Sequence, residues 1–207
     1  MELSYGLSFY LLCFSALVLA AFAVMILRMK NKTQIHKAFL VWMIILFIWC
    51  IGHILEVITT IRYGYTIWAF VDLYYLGLCF TPVAMVFTCI IFVQSNIKSE
   101  TKYFLLLIPP VIDYAILLTN PLHHWYLQEY SIFADQTVFG PLAFLHYIVT
   151  YSYMVFAIVY LTRFTIKDSG FFSRQSILIL FGALIPLVVN VLISFKIVLL
   201  PVYYTVL

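Results

Sequence analysis

The chain has 207 residues, of which 66% are hydrophobic and only 9% charged, with a mean hydropathy of +1.11. A soluble globular domain carries about 25% charged residues, so this composition excludes a water-soluble fold and describes an integral membrane protein. The formal net charge of +3 follows from where basic residues sit along a membrane topology, and requires no nucleic-acid partner.

Apolar runs near or above the ~20 residues that cross a bilayer occur at Tyr5–Leu27, Ala38–Ile61, Thr66–Val93, Tyr103–Thr119, Pro141–Leu161 and Ser176–Phe195. Ala20, Ala21, Phe22 and Ala23 give the first run a cleavage-site flavour, but no basic residue precedes it and a basic cluster follows it. That order is the reverse of a secretory signal, so the run reads as a first span with its N-terminus outside. Arg28, Lys30, Lys32 and Lys37 follow span one, Lys98 and Lys102 follow span three, and Arg163, Lys167 and Arg174 follow span five. Only Arg62 and Lys196, of 11 basic residues, fall in the opposite gaps. Positive charge is retained on the cytoplasmic side, which places the gaps after spans one, three and five inside the cell. Asn31-Lys32-Thr33 matches a glycosylation pattern but lies in the most basic of these inner gaps. After Lys196 only IVLLPVYYTVL remains, about 16 Å of helix, which reads as the start of a seventh span. The expected fold is an all-α membrane bundle of six transmembrane helices plus the start of a seventh.

The spans contain polar residues that a membrane interior makes expensive: His53 and Glu56 in span two, Asp72 in span three, Asp113 in span four, His146 in span five and Asn190 in span six. Counted from the nearest outer gap, Glu56, Asp72, Asp113, His146 and Asn190 lie roughly 8 to 12 Å below the outer end of their helices. Helical spacing gathers them on faces: Trp49, His53, Glu56 and Thr60; Trp68, Asp72, Tyr75 and Cys79; His146, Thr150 and Tyr153; and Pro186, Asn190 and Ser194. No Lys or Arg inside the spans neutralises Glu56, Asp72 and Asp113. The carboxylates therefore pair with His53 or His146, become protonated, or meet a cationic or amine-bearing ligand. One reading is interhelical glue, with each hydrogen bond worth about 0.6 to 2 kcal/mol. The other is an outward-facing, aromatic-rimmed polar cavity, favoured because glue need not collect at one depth.

Cys13, Cys50, Cys79 and Cys89 all fall within spans and lack disulfide or metal-ligand spacing, so they read as small packing residues. Pro82, Pro109, Pro110 and Pro186 each remove a backbone hydrogen bond and permit a kink. The polar gap TNPLHHWYLQEY, Thr119 to Tyr130, carries two adjacent histidines and three aromatic residues. Trp125, Tyr126 and Tyr130 suit an interfacial aromatic belt. Neighbouring imidazoles such as His123 and His124 do not readily converge on one metal ion. With no phosphate loop, Cys-x-x-Cys or His-Glu-x-x-His in the sequence, no catalytic chemistry and no cofactor are expected.

The segments YYLGLCFTPVAMVFTCIIFVQ, LLLIPPVIDYAILLTNPLHHWY, FGPLAFLHYIVTYSYMVFAIVYL and SRQSILILFGALIPLVVNVL occur in that order. Together they resemble the N-terminal seven-transmembrane sensor region found on bacterial histidine kinases and some diguanylate cyclases, from span two to the end of the chain. The resemblance implies a single transmembrane sensor domain over residues 1–207, lacking the output module and most of span seven. It further implies a multi-pass protein of the bacterial cytoplasmic membrane, a homodimer when full-length, and an extracellular small molecule or peptide as ligand. His123, His124 and Trp125 would then cap the mouth of the cavity. The expected ligand site comprises Glu56 and Asp72 as anchors, His53 and His146 as their partners, and Trp49, Trp68 and Tyr75 as walls. Asp113, Asn190, Trp125 and His123 complete it. An amine, a peptide terminus or a purine-like ring suits such a lining. Two other classes compete: a small transporter or proton-coupled permease subunit, in which the same groups form a proton relay, and a purely structural assembly subunit. Against the transporter stand inner halves almost free of charge and the lack of self-similar halves.

Overall fold

The computed structural model describes residues 7–94, 101–132 and 136–167. Four helices in it are long and apolar enough to cross a membrane: Phe9–Arg28, Gln34–Tyr63, Trp68–Gln94 and Ala143–Lys167. They correspond to the predicted spans one, two, three and five. Span six, the start of span seven, and with them Pro186 and Asn190, lie outside the described residues.

Helix α1 (Leu7–Arg28) leaves much of its surface, including Tyr10, Phe14, Leu17 and Phe22, exposed. Such a surface is stable against hydrocarbon and unstable against water. It meets α2 (Gln34–Tyr63) through Leu12 and Ala16 on Cys50. With 30 residues, α2 runs to about 45 Å, longer than a bilayer core, because helix continues into both polar ends. At its start the backbone N–H of Thr33 donates to His36 Nδ1 at 3.2 Å.

Helix α3 (Trp68–Gln94) is the central strut, packed on α2, on α4 (Ile108–Leu118) and on α6 (Ala143–Lys167). Glycines set its distance from α2. A Cβ at Gly52 would stand 2.4 Å from the Tyr74 backbone nitrogen, and one at Gly77 would stand 2.4 Å from the Trp49 Cβ. Small residues are what let membrane helices approach this closely.

The predicted span four takes two geometries. A 3-10 segment, Thr101–Leu107, leads into α4, with Pro109 and Pro110 in its first turn. Proline brings no N–H, so the Leu106 carbonyl finds no helical donor three or four residues on. The Tyr153 hydroxyl of α6 donates to it instead, at 2.7 Å. Because a 3-10 helix rises about 2.0 Å per residue and an α-helix about 1.5 Å, the two pieces together cover roughly 30 Å, enough for a hydrocarbon core.

Between α4 and α6 the chain forms a single turn, α5 (Asn120–His123), and a small antiparallel hairpin, β1 (Leu127–Glu129) with β2 (Val138–Phe139). This loop lies at the same end of the bundle as the α2–α3 turn. At the basic end, a clasp joins three elements: the Tyr103 hydroxyl donates to Gln94 Oε1 and Gln94 Nε2 donates to the Tyr160 hydroxyl, each at 3.1 Å.

Candidate functional site

The predicted polar residues of the described spans resolve into two buried histidine–carboxylate pairs and one carboxylate apart from them. The first pair comes from a single helix. His53 and Glu56 are one turn apart on α2, where residues three apart share a face, and Nδ1 lies 2.8 Å from Oε2. Glu56 is 0% exposed and His53 1% exposed. The other Glu56 oxygen accepts from the Tyr130 hydroxyl at 2.6 Å. Tyr74 of α3 stacks on the His53 ring at 4.8 Å, so the pair is walled by aromatic rings.

The second pair is assembled across helices. His146 Nδ1 of α6 lies 2.7 Å from Asp113 Oδ2 of α4. Cys79 Sγ of α3 sits 3.9 Å from the same nitrogen, and Thr150 Oγ1 lies 3.4 Å from Nε2. One donor atom each from Cys79, Asp113 and His146 falls within 4.8 Å of the others, with all three side chains buried. Asp113 Oδ1 is buried with no hydrogen-bond partner among the described residues.

Asp72 stands apart on α3. Its side chain is half-buried, and only its backbone carbonyl is engaged, accepting from the Tyr114 hydroxyl at 3.3 Å. One turn earlier, Trp68 is 41% exposed and packs its ring on Tyr130. Trp49 and Tyr75 are buried in the core with Val71, Tyr74, Leu117, Tyr126, Leu127 and Ala143. An apolar hollow of about 180 Å³, lined by Ile45, Ile48, Leu76, Gly77 and Phe80, contains none of the predicted site residues.

The gap from Thr119 to Tyr130 is the roof of both pairs, and Asn120 is what folds it. Its Oδ1 accepts from the backbone N–H of Tyr126 at 2.9 Å and of Leu127 at 3.0 Å, while its Nδ2 donates to the Leu127 carbonyl at 2.9 Å. His123 is bound locally, accepting at Nδ1 from the Trp125 N–H at 2.9 Å, with Nε2 lying 3.1 Å from Thr119 Oγ1. His124 takes the left-handed conformation (φ 53°) that ends the turn. Trp125 points out, 58% exposed, whereas Tyr126 turns in, edge-on to Tyr75 at 5.8 Å and beside His146. Burial, reinforced by Glu56, pushes the Tyr130 hydroxyl well above its ordinary pKa. It therefore remains a hydrogen-bond donor at any physiological pH.

Sequence reasoning places His53 beside Glu56 but assigns His146 to the anchors Glu56 and Asp72, whereas His146 meets Asp113; three further contributions escape it. Tyr126 and Tyr130 suit an aromatic belt by composition, but the structure turns both toward the buried pairs. Asn120 lies within TNPLHH, where Asn followed by Pro at a helix end is a turn signal. Helical spacing puts Cys79 on the face of Asp72 and Tyr75, but its neighbours His146 and Asp113 come from other helices.

The comparisons agree with this architecture. Residues 11–207 match the model of the N-terminal 7TM region of histidine kinase. The chain belongs to that family. It is accordingly a multi-pass helical membrane protein and a membrane sensor module, a region distinct from the kinase's catalytic part. No curated protein and no solved structure matches the chain.

Proposed function

We propose that this sensor module binds an extracellular small molecule or peptide at the lidded end of the bundle and passes a helix rearrangement to a cytoplasmic output domain. In this reading the N-terminus lies outside, six spans and the beginning of a seventh cross the bacterial cytoplasmic membrane, and the full-length protein is a dimeric histidine kinase. The observation that carries it is the uneven treatment of three carboxylates in one half of the bundle. Glu56 and Asp113 are matched by histidines, whereas the Asp72 carboxylate takes no hydrogen bond from the described residues. An uncompensated carboxylate inside a membrane costs several kcal/mol, which a cationic ligand group would recover. Asp72 is the open anchor and Glu56 a second one that exchanges its Tyr130 bond for the ligand, with Trp68 and Trp125 the aromatic rim and His123 the brace that holds Trp125. Ligand must favour one packing of α2, α3, α4 and α6 over another to signal.

The test is a thermal-shift screen of the purified chain in detergent against amines, short peptides and nucleobases. A ligand at a hundredfold its Kd stabilises by about 2.7 kcal/mol. That gain should vanish in Asp72→Asn with the unliganded Tm unchanged. A ligand whose stabilisation survives both Asp72→Asn and Glu56→Gln removes this site from consideration.

A further inference from the structure

We infer that Cys79, Asp113 and His146 form a binding site for a zinc-class divalent metal ion within the bundle. The inference draws on the sensor reading in one respect, that occupancy of the site is felt by the helices; metal binding itself stands without it.

The donor set is the first reason. Thiolate, imidazole and carboxylate are the three side-chain ligands that Zn²⁺ takes, with bonds of about 2.3, 2.0–2.1 and 2.0–2.2 Å. Tetrahedral placement of those bonds puts sulfur and nitrogen about 3.6 Å apart; Cys79 Sγ and His146 Nδ1 are 3.9 Å apart. The imidazole and carboxylate, now 2.7 Å apart, have to open by roughly 0.7 Å to admit the ion, a rotamer-scale adjustment. Mg²⁺ and Ca²⁺ prefer six or more oxygens, which this group does not offer.

Charge is the second reason. A thiolate, a carboxylate and a neutral imidazole carry two negative charges, which a divalent ion cancels. Net neutrality is what a site remote from water requires. On binding, the Cys79 thiol releases its proton to solvent, one per ion bound, and the ring proton that His146 Nδ1 shares with Asp113 is exchanged for one on Nε2, so the imidazole stays neutral. Nε2 then carries the ring proton, facing Thr150 Oγ1 at 3.4 Å, the outer-shell partner a metal-bound histidine uses to fix its tautomer.

The third reason is the unpartnered oxygen. Asp113 is 1% exposed and its Oδ1 has no hydrogen-bond partner among the described residues, a cost that a cation held by both carboxylate oxygens removes. Three protein ligands leave a fourth position open, the arrangement of zinc sites that accept water or an exogenous group. Because the ligands come from α3, α4 and α6, binding ties together the helices that any sensor rearrangement must move.

The experiment uses the full chain in detergent, reduced and stripped with chelator, then titrated with Zn²⁺ by calorimetry and with Co²⁺ by absorption, Mg²⁺ serving as control. Expected are one equivalent of Zn²⁺ bound, no heat with Mg²⁺, and a near-ultraviolet thiolate-to-cobalt charge-transfer band. Since outer-shell changes alone cost 10- to 100-fold, Cys79→Ser and Asp113→Asn should each weaken Zn²⁺ binding at least about a hundredfold. The triple variant Cys13→Ala/Cys50→Ala/Cys89→Ala, in which Cys79 is the sole thiol, should keep the cobalt band, so the outcome does not hang on the folding of a ligand variant. Absence of stoichiometric Zn²⁺ binding, or loss of the band in the triple variant, overturns the site. Spin labels on α3 and α6 separate the two readings. Zn²⁺ bound without any change in their distance overturns its role in sensing but leaves the site; an organic ligand that shifts the distance in a chain that binds no Zn²⁺ does the reverse.

Discussion

The two histidine–carboxylate pairs use the same chemistry and are built in opposite ways. His53 and Glu56 are neighbours on one helix, three residues apart, so α2 needs only to form for them to meet. Asp113 and His146 are 33 residues apart and Cys79 is 67 from His146, so their meeting depends on the rotation and depth of three helices. Both oxygens of Glu56 are bonded, one to His53 and one to Tyr130, whereas Asp113 keeps one oxygen unpartnered. The local pair is satisfied from within the protein. The tertiary one has capacity to spare, which is what a responsive site needs.

The sharpest break in that comparison is removal of each carboxylate. Stripping one partner from a buried pair costs about 3–5 kcal/mol, and Glu56→Ala should fall in that range because it strands His53 and the Tyr130 hydroxyl together. Asp113→Ala should cost about 1 kcal/mol less, the worth of one hydrogen bond. Thermal unfolding in matched detergent measures both; equal losses would mean the two pairs are equally complete.

A second break acts on packing and leaves both pairs chemically intact. Gly77→Val drives a side chain into Trp49 and should destabilise by about 1–3 kcal/mol or more. His53–Glu56 coupling, read from a double-mutant cycle, should persist in that background, while the His146–Asp113 coupling weakens as α3 shifts. Persistence of both couplings would show that the tertiary pair does not depend on where α3 sits.

The lid offers the smaller effects. Asn120→Ala removes three hydrogen bonds at a fully buried residue and should cost about 1–3 kcal/mol, with faster protease cleavage between Thr119 and Tyr130 as a local readout. Tyr130→Phe deletes only the hydroxyl bonded to Glu56, for about 1–2 kcal/mol, and should affect the α2 pair while leaving Zn²⁺ affinity at Cys79 unchanged. A loss of Zn²⁺ binding in Tyr130→Phe would show that the lid couples the two pairs.

Much of this organisation is legible in the sequence for a stated physical reason. Hydrocarbon tolerates only long apolar segments with their backbone bonds satisfied internally, so α1, α2, α3 and α6 announce themselves by length and composition. The segment Tyr103–Thr119 did so less clearly, because Pro109 and Pro110 split it into 3-10 and α pieces whose combined rise, not residue count, makes it long enough. His53 and Glu56 were readable as neighbours because the helical period alone sets which residues share a face. That period also put Asp72 on the face of Tyr75 and Cys79, but the face is not uniformly buried: Tyr75 and Cys79 are enclosed, and Asp72 stays half-exposed near the end of α3.

Sequence by itself therefore determined the solvent of this protein, its main spans and the one polar pair that a single helix can make. Tertiary structure alone decided that Cys79 faces His146 and Asp113, that Tyr126 turns inward while Trp125 turns out, and that Asn120 holds the lid over both pairs. Periodicity fixes positions relative to a helix's own axis, whereas the rotation of each axis against its neighbours is set by close packing, here by Gly52 on Tyr74 and Gly77 on Trp49.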